Sequence, residues 1–161
     1  MQLATNATGE NRAMNPSGGC RFTGMDRKYS IEDLAAFHGH LGPYIVLGYR
    51  IGRYVRKHLC SDPFQMRAVV YCSGVHPQSC LADGIQLGCG CTLGKRNIEI
   101  SACDEIRCEF FKGERRMVVT PNPVKPPRQE GQDLGALIEK LAEEMYSMPD
   151  SQLFVASTDS W

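Results

Sequence analysis

Two short stretches of the sequence hold side chains that can do chemistry. The first, FHGHLGPY, places His38 and His40 two residues apart between glycines. The second, SCLADGIQLGCGCTLGK, holds Cys80, Cys89 and Cys91 together with an aspartate and a lysine. Thiolates and imidazoles are ligands that zinc and similar transition metals prefer, and they also act as nucleophiles and bases. The question is whether the two stretches form one site.

The two histidines lie in a loop that Gly39 and Gly42 make flexible. Such a loop can turn both rings inward, so His38 and His40 are candidate metal ligands or catalytic groups. The alternative is that one ring caps a helix end while the other faces solvent.

Cys80 begins a helix that the pattern predicts over 80–88, with Ser79 as its N-cap. The dipole of a helix start lowers the pKa of a thiol, which favours metal binding or nucleophilic attack. Asp83 lies three residues on, shares the face of Cys80 and can orient a ligand. The alternatives are a buried thiol and a solvated carboxylate.

Cys89 and Cys91 alternate with glycines, so the backbone can bend until both thiols point at one centre. We expect Cys91, together with Cys89, to complete a metal site with Cys80 and the histidines; the alternative is again buried thiols. The stretch is no phosphate loop, because Arg96 follows Lys95 where a Ser or Thr is required. Lys95 either binds an anion or is simply solvated.

The remaining cysteines carry weaker signals. Cys72 and His76 flank a turn just before Cys80 and are reserve ligand candidates. No role is assigned to four further cysteines: Cys20, Cys60, Cys103 and Cys108.

These side chains must be positioned by helices that come first in the chain. Ser30 is a predicted N-cap for a short helix that HGHLG interrupts, and Pro43 opens a second helix to about Leu59. Gly48 and Gly52 share one face of that second helix. Each glycine lowers the stability of a helix by about 1 kcal/mol relative to alanine. Two glycines on one face therefore indicate that a neighbouring helix or a ligand approaches closely there.

Strand patterns dominate the rest of the chain. Strands are predicted over 66–72, 95–102, 105–111, 115–121 and 152–157, with a turn at Gly113 and a helix over 134–145. Helices followed mostly by hairpin-connected strands predict an α+β fold, with helices packed on an antiparallel or mixed sheet.

Composition restricts the class of protein. The chain has 161 residues, which suits one domain: a disordered tail over 1–25 and a single domain over 26–161. A net charge of +0 argues against nucleic-acid binding, and no apolar run is long enough for a membrane span or a secretory leader. We therefore expect a cytoplasmic protein whose thiols stay reduced.

Taken together, the two stretches resemble the FmdE family, proteins like the FmdE component of molybdenum or tungsten formylmethanofuran dehydrogenase. The matching segments are 37–52, 80–86 and 90–97, in the family's order. This chain departs from many members at Gly42, where they have a cysteine. As a hypothesis, Cys89 substitutes for it.

The resemblance implies a fold related to the C-terminal domain of glyceraldehyde-3-phosphate dehydrogenase and a homodimer. It also implies a site for zinc or another divalent transition metal, and partners that are molybdenum or tungsten formylmethanofuran dehydrogenase subunits. The residues it carries over are these: His38, His40, Cys80 and Cys91 as ligands, Asp83 beside them, and Gln86 and Lys95 as cofactor-binding neighbours.

Three functions remain open from the sequence. The first is a metal-binding protein with a catalytic or accessory role in one-carbon (formyl) oxidoreductase metabolism, as in methanogenesis. The second is a metal carrier or sensor without enzymatic activity. The third is a metal-free thiol enzyme with Cys80 as nucleophile, His38 as base and Asp83 as orienting group.

Overall fold

The computed structural model describes residues 20–128 and 130–160. The helices are α1 (Ile31–His38), α2 (Pro43–His58), α3 (Leu81–Cys89), α4 (Leu134–Ser147) and α5 (Asp150–Leu153). The strands are β1 (Arg67–Cys72), β2 (Ile98–Ala102), β3 (Arg107–Lys112), β4 (Arg115–Pro121) and β5 (Phe154–Ser160). One 3-10 turn, Gln78–Cys80, precedes α3. The predicted α+β class is confirmed.

The five strands form one mixed sheet in the order β2-β1-β3-β4-β5. β1 and β2 are parallel, and the other three pairs are antiparallel. Ala68, Phe110 and Met117 lie in register across the centre of the sheet, and all three are buried in the core shared with the helices. The prediction of helices packed on a mixed sheet is therefore confirmed.

Local signals set several helix ends. Ser30 caps α1 through a capping box with Asp33, and Gly39 ends it in the left-handed region at φ 93°. Pro43 starts α2 at the position where its missing N–H costs nothing. Between α1 and α2 there are only four residues, so the loop that carries His40 is short.

α2 and α3 touch backbone to backbone through glycines from both helices. A Cβ atom at Gly48 would lie 2.2 Å from the carbonyl oxygen of Leu81, and one at Gly84 would lie 2.1 Å from that of Ile45. Neither position has room for any side chain. The close helix approach predicted from the α2 glycines is thus confirmed, and it brings the start of α3 towards the start of α2.

The structure corrects three predicted boundaries. α3 begins at Leu81 with Cys80 as its N-cap, because the preceding residues form the 3-10 turn instead of an extended cap at Ser79. β2 begins at Ile98, since the residues before it form turns. β5 begins at Phe154, because Pro149 and Asp150 start the short helix α5.

The segment 1–25, predicted to be disordered, lies largely outside the described residues. Residues 20–25 form turns, and Arg56 on α2 donates hydrogen bonds to the carbonyls of Gly24 and Met25. Within the described residues, no helix is both long and apolar enough to cross a membrane.

Candidate functional site

The end of α1 meets the first turn of α3 through an imidazole–carboxylate pair. His38 Nδ1 lies 2.7 Å from Asp83 Oδ2, although 45 residues separate them in the chain. The His38 side chain is only 10% exposed, whereas that of Asp83 is 39% exposed. The pair thus joins the two stretches that the sequence singled out, at a place where one ring is largely covered and its partner faces solvent.

Two more histidines lie beside this pair. The ring centroids of His38 and His40 are 4.8 Å apart, and those of His40 and His76 are 6.4 Å apart. We call these three residues the histidine cluster. His76 was only a reserve candidate in the sequence, because one histidine in a turn has no periodicity to mark it. Its signal is its position in the turn that leads from the buried strand β1 to Cys80.

Cys80 is the N-cap of α3, three residues before Asp83, and is 9% exposed. Burial raises the pKa of its thiol, and the negative charge of Asp83 raises it further. A backbone hydrogen bond acts in the opposite direction with a smaller effect. The expected lowering by the helix start is therefore outweighed, and the thiol stays protonated near neutral pH.

Cys89 and Cys91 lie at the opposite end of α3, and both are fully buried in the core. Cys89 lies nine positions after Cys80, which is roughly 13 Å along the helix axis. The structure therefore does not bring these two cysteines to the histidine cluster.

The two core cysteines interact with each other. The backbone N–H of Cys91 donates to the Cys89 sulfur at 3.5 Å, and the Cys91 thiol donates to the carbonyl of Met66 at 3.6 Å. The close contact between the two thiols lowers the pKa of Cys89 and raises that of Cys91. This pair is a feature of the core, separate from the surface site.

Cys72, the second reserve candidate, is also buried in the core. It lies close enough to Cys108 for its charge to raise the pKa of that thiol, after the larger effect of burial. It contributes nothing to the histidine cluster.

The donor atoms at the histidine cluster suit zinc in kind. A histidine that binds a metal usually donates its other ring N–H to a carboxylate, as the contact between His38 and Asp83 permits. Over the ranges 20–128 and 130–160, however, no three His, Cys, Asp or Glu side chains are grouped so that they could hold an ion. The donors are of the right type, but this part of one chain does not assemble a complete metal site.

Lys95 and Gln86 brace the loop that follows α3. Gln86 Oε1 accepts a hydrogen bond from the backbone of Leu93 at 2.9 Å, and Lys95 Nζ donates to Thr92 Oγ1 at 2.7 Å. Asn97 completes the brace by bonding Thr92 and the carbonyls of the segment before β1. The motif that these residues form therefore has a structural role in shaping the loop.

Lys95 and Gln86 also line a cleft of about 500 Å³, which we call the aromatic cleft. Three phenylalanine rings border it: Phe22, Phe37 and Phe64. Sequence reasoning missed this feature, because the three rings come from distant segments without a common spacing. Phe37, which contributes one of these rings, directly precedes His38 on α1.

The chain matches one protein family over most of its length. The family model described as "FmdE, Molybdenum formylmethanofuran dehydrogenase operon" matches residues 37–155, which is most of the chain. The protein therefore belongs to the FmdE family. The matched range includes every residue of the histidine cluster, Asp83 and Cys80.

One curated relative comes from Archaeoglobus fulgidus and is described as a probable S-adenosyl-L-methionine-binding protein. It is 30% identical over an alignment of 110 residues, and the alignment covers 61% of this chain and 29% of the relative. The chain thus spans less than a third of that relative's length.

Proposed function

We propose that this FmdE-family protein has a catalytic or accessory role in one-carbon, formyl-linked oxidoreductase metabolism, acting on a formyl group at the histidine cluster. The observation that carries the proposal is the 2.7 Å contact between His38 and Asp83, because it joins the two family motifs in one polar surface site. Family membership supports the formyl group as the substrate class.

His38 is the proposed proton-transfer group. If Nδ1–H donates to the Asp83 carboxylate, the lone pair of the ring lies on Nε2. That atom can take a proton from a water molecule as the water adds to a formyl carbon, and can return it to a departing amine. Asp83 holds the ring in this tautomer and stabilises the cation that forms.

Cys80 is a poor candidate for the nucleophile of a metal-free thiol enzyme. Its pKa is raised by burial and by Asp83, so little thiolate forms near neutral pH. The structure therefore gives the thiol-enzyme alternative less support than proton transfer by His38.

Zinc binding is a further proposal for the same surface. His38, His40 and Cys80 offer imidazole and thiol donors of the right type, and His76 adds a third ring nearby. Since the described part of one chain does not group three donors, the missing geometry must come from side-chain rotation or from a second chain. When bound, zinc would polarise the formyl oxygen.

The other inferences from the family are also proposals. They comprise a homodimer, association with molybdenum or tungsten formylmethanofuran dehydrogenase-type subunits, and kinship with the C-terminal domain of glyceraldehyde-3-phosphate dehydrogenase. Family membership supports association with the dehydrogenase in particular.

The test uses N-formylbenzylamine, a simple formylated amine, with the complete chain. Proton NMR follows its binding and its hydrolysis with water to benzylamine and formate. Formate release that His38→Gln abolishes supports a catalytic role, and binding at the histidines without release supports an accessory role. Absence of binding at millimolar concentrations, with and without added zinc, contradicts the proposal.

The relative from Archaeoglobus suggests a second candidate, S-adenosyl-L-methionine binding. The alignment favours it over 110 residues, but most of the relative lies outside that alignment. Calorimetric titration of the chain with S-adenosyl-L-methionine tests this candidate. Saturable binding supports this candidate, and a flat titration contradicts it.

A further inference from the structure

The aromatic cleft exposes three phenyl rings around one concavity. Phe22 is 54% exposed, Phe37 is 53% exposed and Phe64 is 70% exposed. Single exposed apolar residues are ordinary, but apolar rings gathered around a concavity with a few polar groups are typical of a ligand site. The rings come from three separate parts of the chain, so their meeting is a property of the tertiary structure.

The cleft also holds a cation that no carboxylate of the described residues neutralises. Lys95 Nζ lies 5.6 Å from the centroid of the Phe64 ring, and its hydrogen bond goes to a neutral hydroxyl. The other cations of the lining, Arg27 and Arg56, each pair with an aspartate. Among the described residues, Lys95 is therefore the lining cation that lacks an acidic partner, and it lies against an aromatic ring.

Glycines contribute part of the lining of the cleft as backbone. Gly88 lines it, and a Cβ atom there would lie 2.4 Å from the carbonyl oxygen of Tyr49 on α2. Gln86 lies beside it, with its side-chain oxygen already bonded to Leu93, so its amide nitrogen remains as a donor. The aromatic lining and the Lys95 cation suit a planar molecule that carries a negative group.

The cleft lies one turn of α3 away from the His38–Asp83 pair, although neither residue of the pair lines it. Asp83 and Gln86 are three residues apart on that helix and so share a face. Phe37 lines the cleft from α1, one residue before His38 in the chain. A molecule in the cleft can therefore extend towards the His38–Asp83 pair.

We propose that the aromatic cleft binds a planar aromatic group bearing an anionic substituent, with the ring against Phe37 and Phe64 and the anion at Lys95. The proposal rests on the proposed function in one respect, namely that the opposite end of such a molecule presents its formyl group to His38. Binding of the aromatic group itself needs no turnover.

The test uses three small probes and calorimetry on the complete chain. 2-Naphthoate has a ring and a carboxylate, 2-naphthamide has the ring without the charge, and acetate has the charge without the ring. We expect 2-naphthoate to bind most tightly, and acetate not to bind measurably. Lys95→Met should weaken 2-naphthoate about tenfold while leaving 2-naphthamide unchanged, since one ion pair to a partly covered cation is lost.

Phe64→Ala should weaken both aromatic probes by about fivefold, because it removes a stacking surface. Lys57→Met is the matched control, since Lys57 lies in a different surface depression and should not affect any probe. Both target side chains are partly or mostly exposed, so we expect both variants to fold. Thermal unfolding verifies this before the titrations.

Three results would overturn the proposal. The first is that 2-naphthoate shows no saturable binding. The second is that Lys95→Met and Lys57→Met weaken its binding equally. The third is that Phe64→Ala leaves probe binding unchanged and alters only the oligomeric mass measured by sedimentation. The last result would make the cleft an interface between copies of the chain. Naphthoate binding without any effect on N-formylbenzylamine would instead count against the proposed function and leave the cleft as a ligand site.

Discussion

His38 at the end of α1 and Asp83 in the first turn of α3 face each other with 2.7 Å between Nδ1 and Oδ2. The contact depends on the close approach of α2 and α3 at their glycines, because that approach sets where α3 begins relative to α1. It connects the HGH stretch to the cysteine stretch through two polar side chains at the surface. A local change at Asp83 should therefore affect the chemistry of His38 without disturbing the core.

Asp83→Ala should lower the rate of formate release from N-formylbenzylamine by roughly 10- to 100-fold. If the parent protein binds this compound without hydrolysing it, the variant should bind it more weakly by the same factor. Without the carboxylate, the His38 ring loses the acceptor that selects its tautomer. Nitrogen-15 NMR of the ring should then change from one dominant tautomer to a mixture. Asp104→Ala, which removes an exposed acid in a bend far along the chain, is the control and should leave both readouts unchanged.

Gly84→Ala should destabilise the fold by about 3 kcal/mol, despite the gain of about 1 kcal/mol that alanine brings to a helix. The added Cβ would lie 2.1 Å from the backbone oxygen of Ile45, and backbone cannot rotate away as a side chain can. Urea unfolding measures the loss. Gly94→Ala adds the same atom in open space, so its free energy of unfolding should remain within about 0.5 kcal/mol of that of the parent. If both variants lose the same stability, α2 and α3 do not approach as closely as described.

Stability should fall at alkaline pH because of Cys108. Burial raises the pKa of this thiol above its ordinary value of 9.0, so the folded chain keeps the proton that the unfolded chain loses. The contribution of this thiol to the free energy of unfolding is therefore fully present below about pH 9. Above that pH the contribution decreases by about 1.4 kcal/mol per pH unit. The difference in unfolding free energy between the parent and Cys108→Ala, measured from pH 8 to 11, should show that slope.

Gly42→Cys should create a tighter metal site. A Cβ atom at Gly42 would lie 3.1 Å from Cε1 of His40, so a thiol there joins the histidine cluster after a small movement of that ring. We expect cobalt to bind about tenfold more tightly and to show a thiolate charge-transfer band. Gly42→Ala is the control, since it changes the backbone in the same way without adding sulfur. If it binds cobalt as tightly as Gly42→Cys does, position 42 does not supply a ligand.

Much of the helical framework was predictable from local rules. Ser30 with its capping box, Gly39 at the end of α1 and Pro43 at the start of α2 act through neighbours in the sequence, so their effect can be read without the fold. The glycine pair in α2 also indicated a close helix neighbour. The start of α3 was misplaced by one residue, since a 3-10 turn and an extended cap leave similar residue patterns.

The membership of the site was predictable only in part. His38 contacts Asp83 and lies beside His40, as the two motifs suggested, and His76 joins them from a turn that carried a weak signal. The zinc site and the roles of these residues remain predictions. The phenylalanines of the aromatic cleft have no shared period, so no sequence pattern could group them.

Local sequence sufficed for both ends of α1, the start of α2, the hairpin at Gly113 and the family, because each depends on residues close together in the chain or on motifs in a given order. The tertiary structure alone decided which thiols can reach the histidines. α3 holds Cys80 at one end and Cys89 at the other, and a rigid helix of nine residues keeps them roughly 13 Å apart. Spacing in sequence cannot show that separation until the intervening residues are known to be helical and packed against α2.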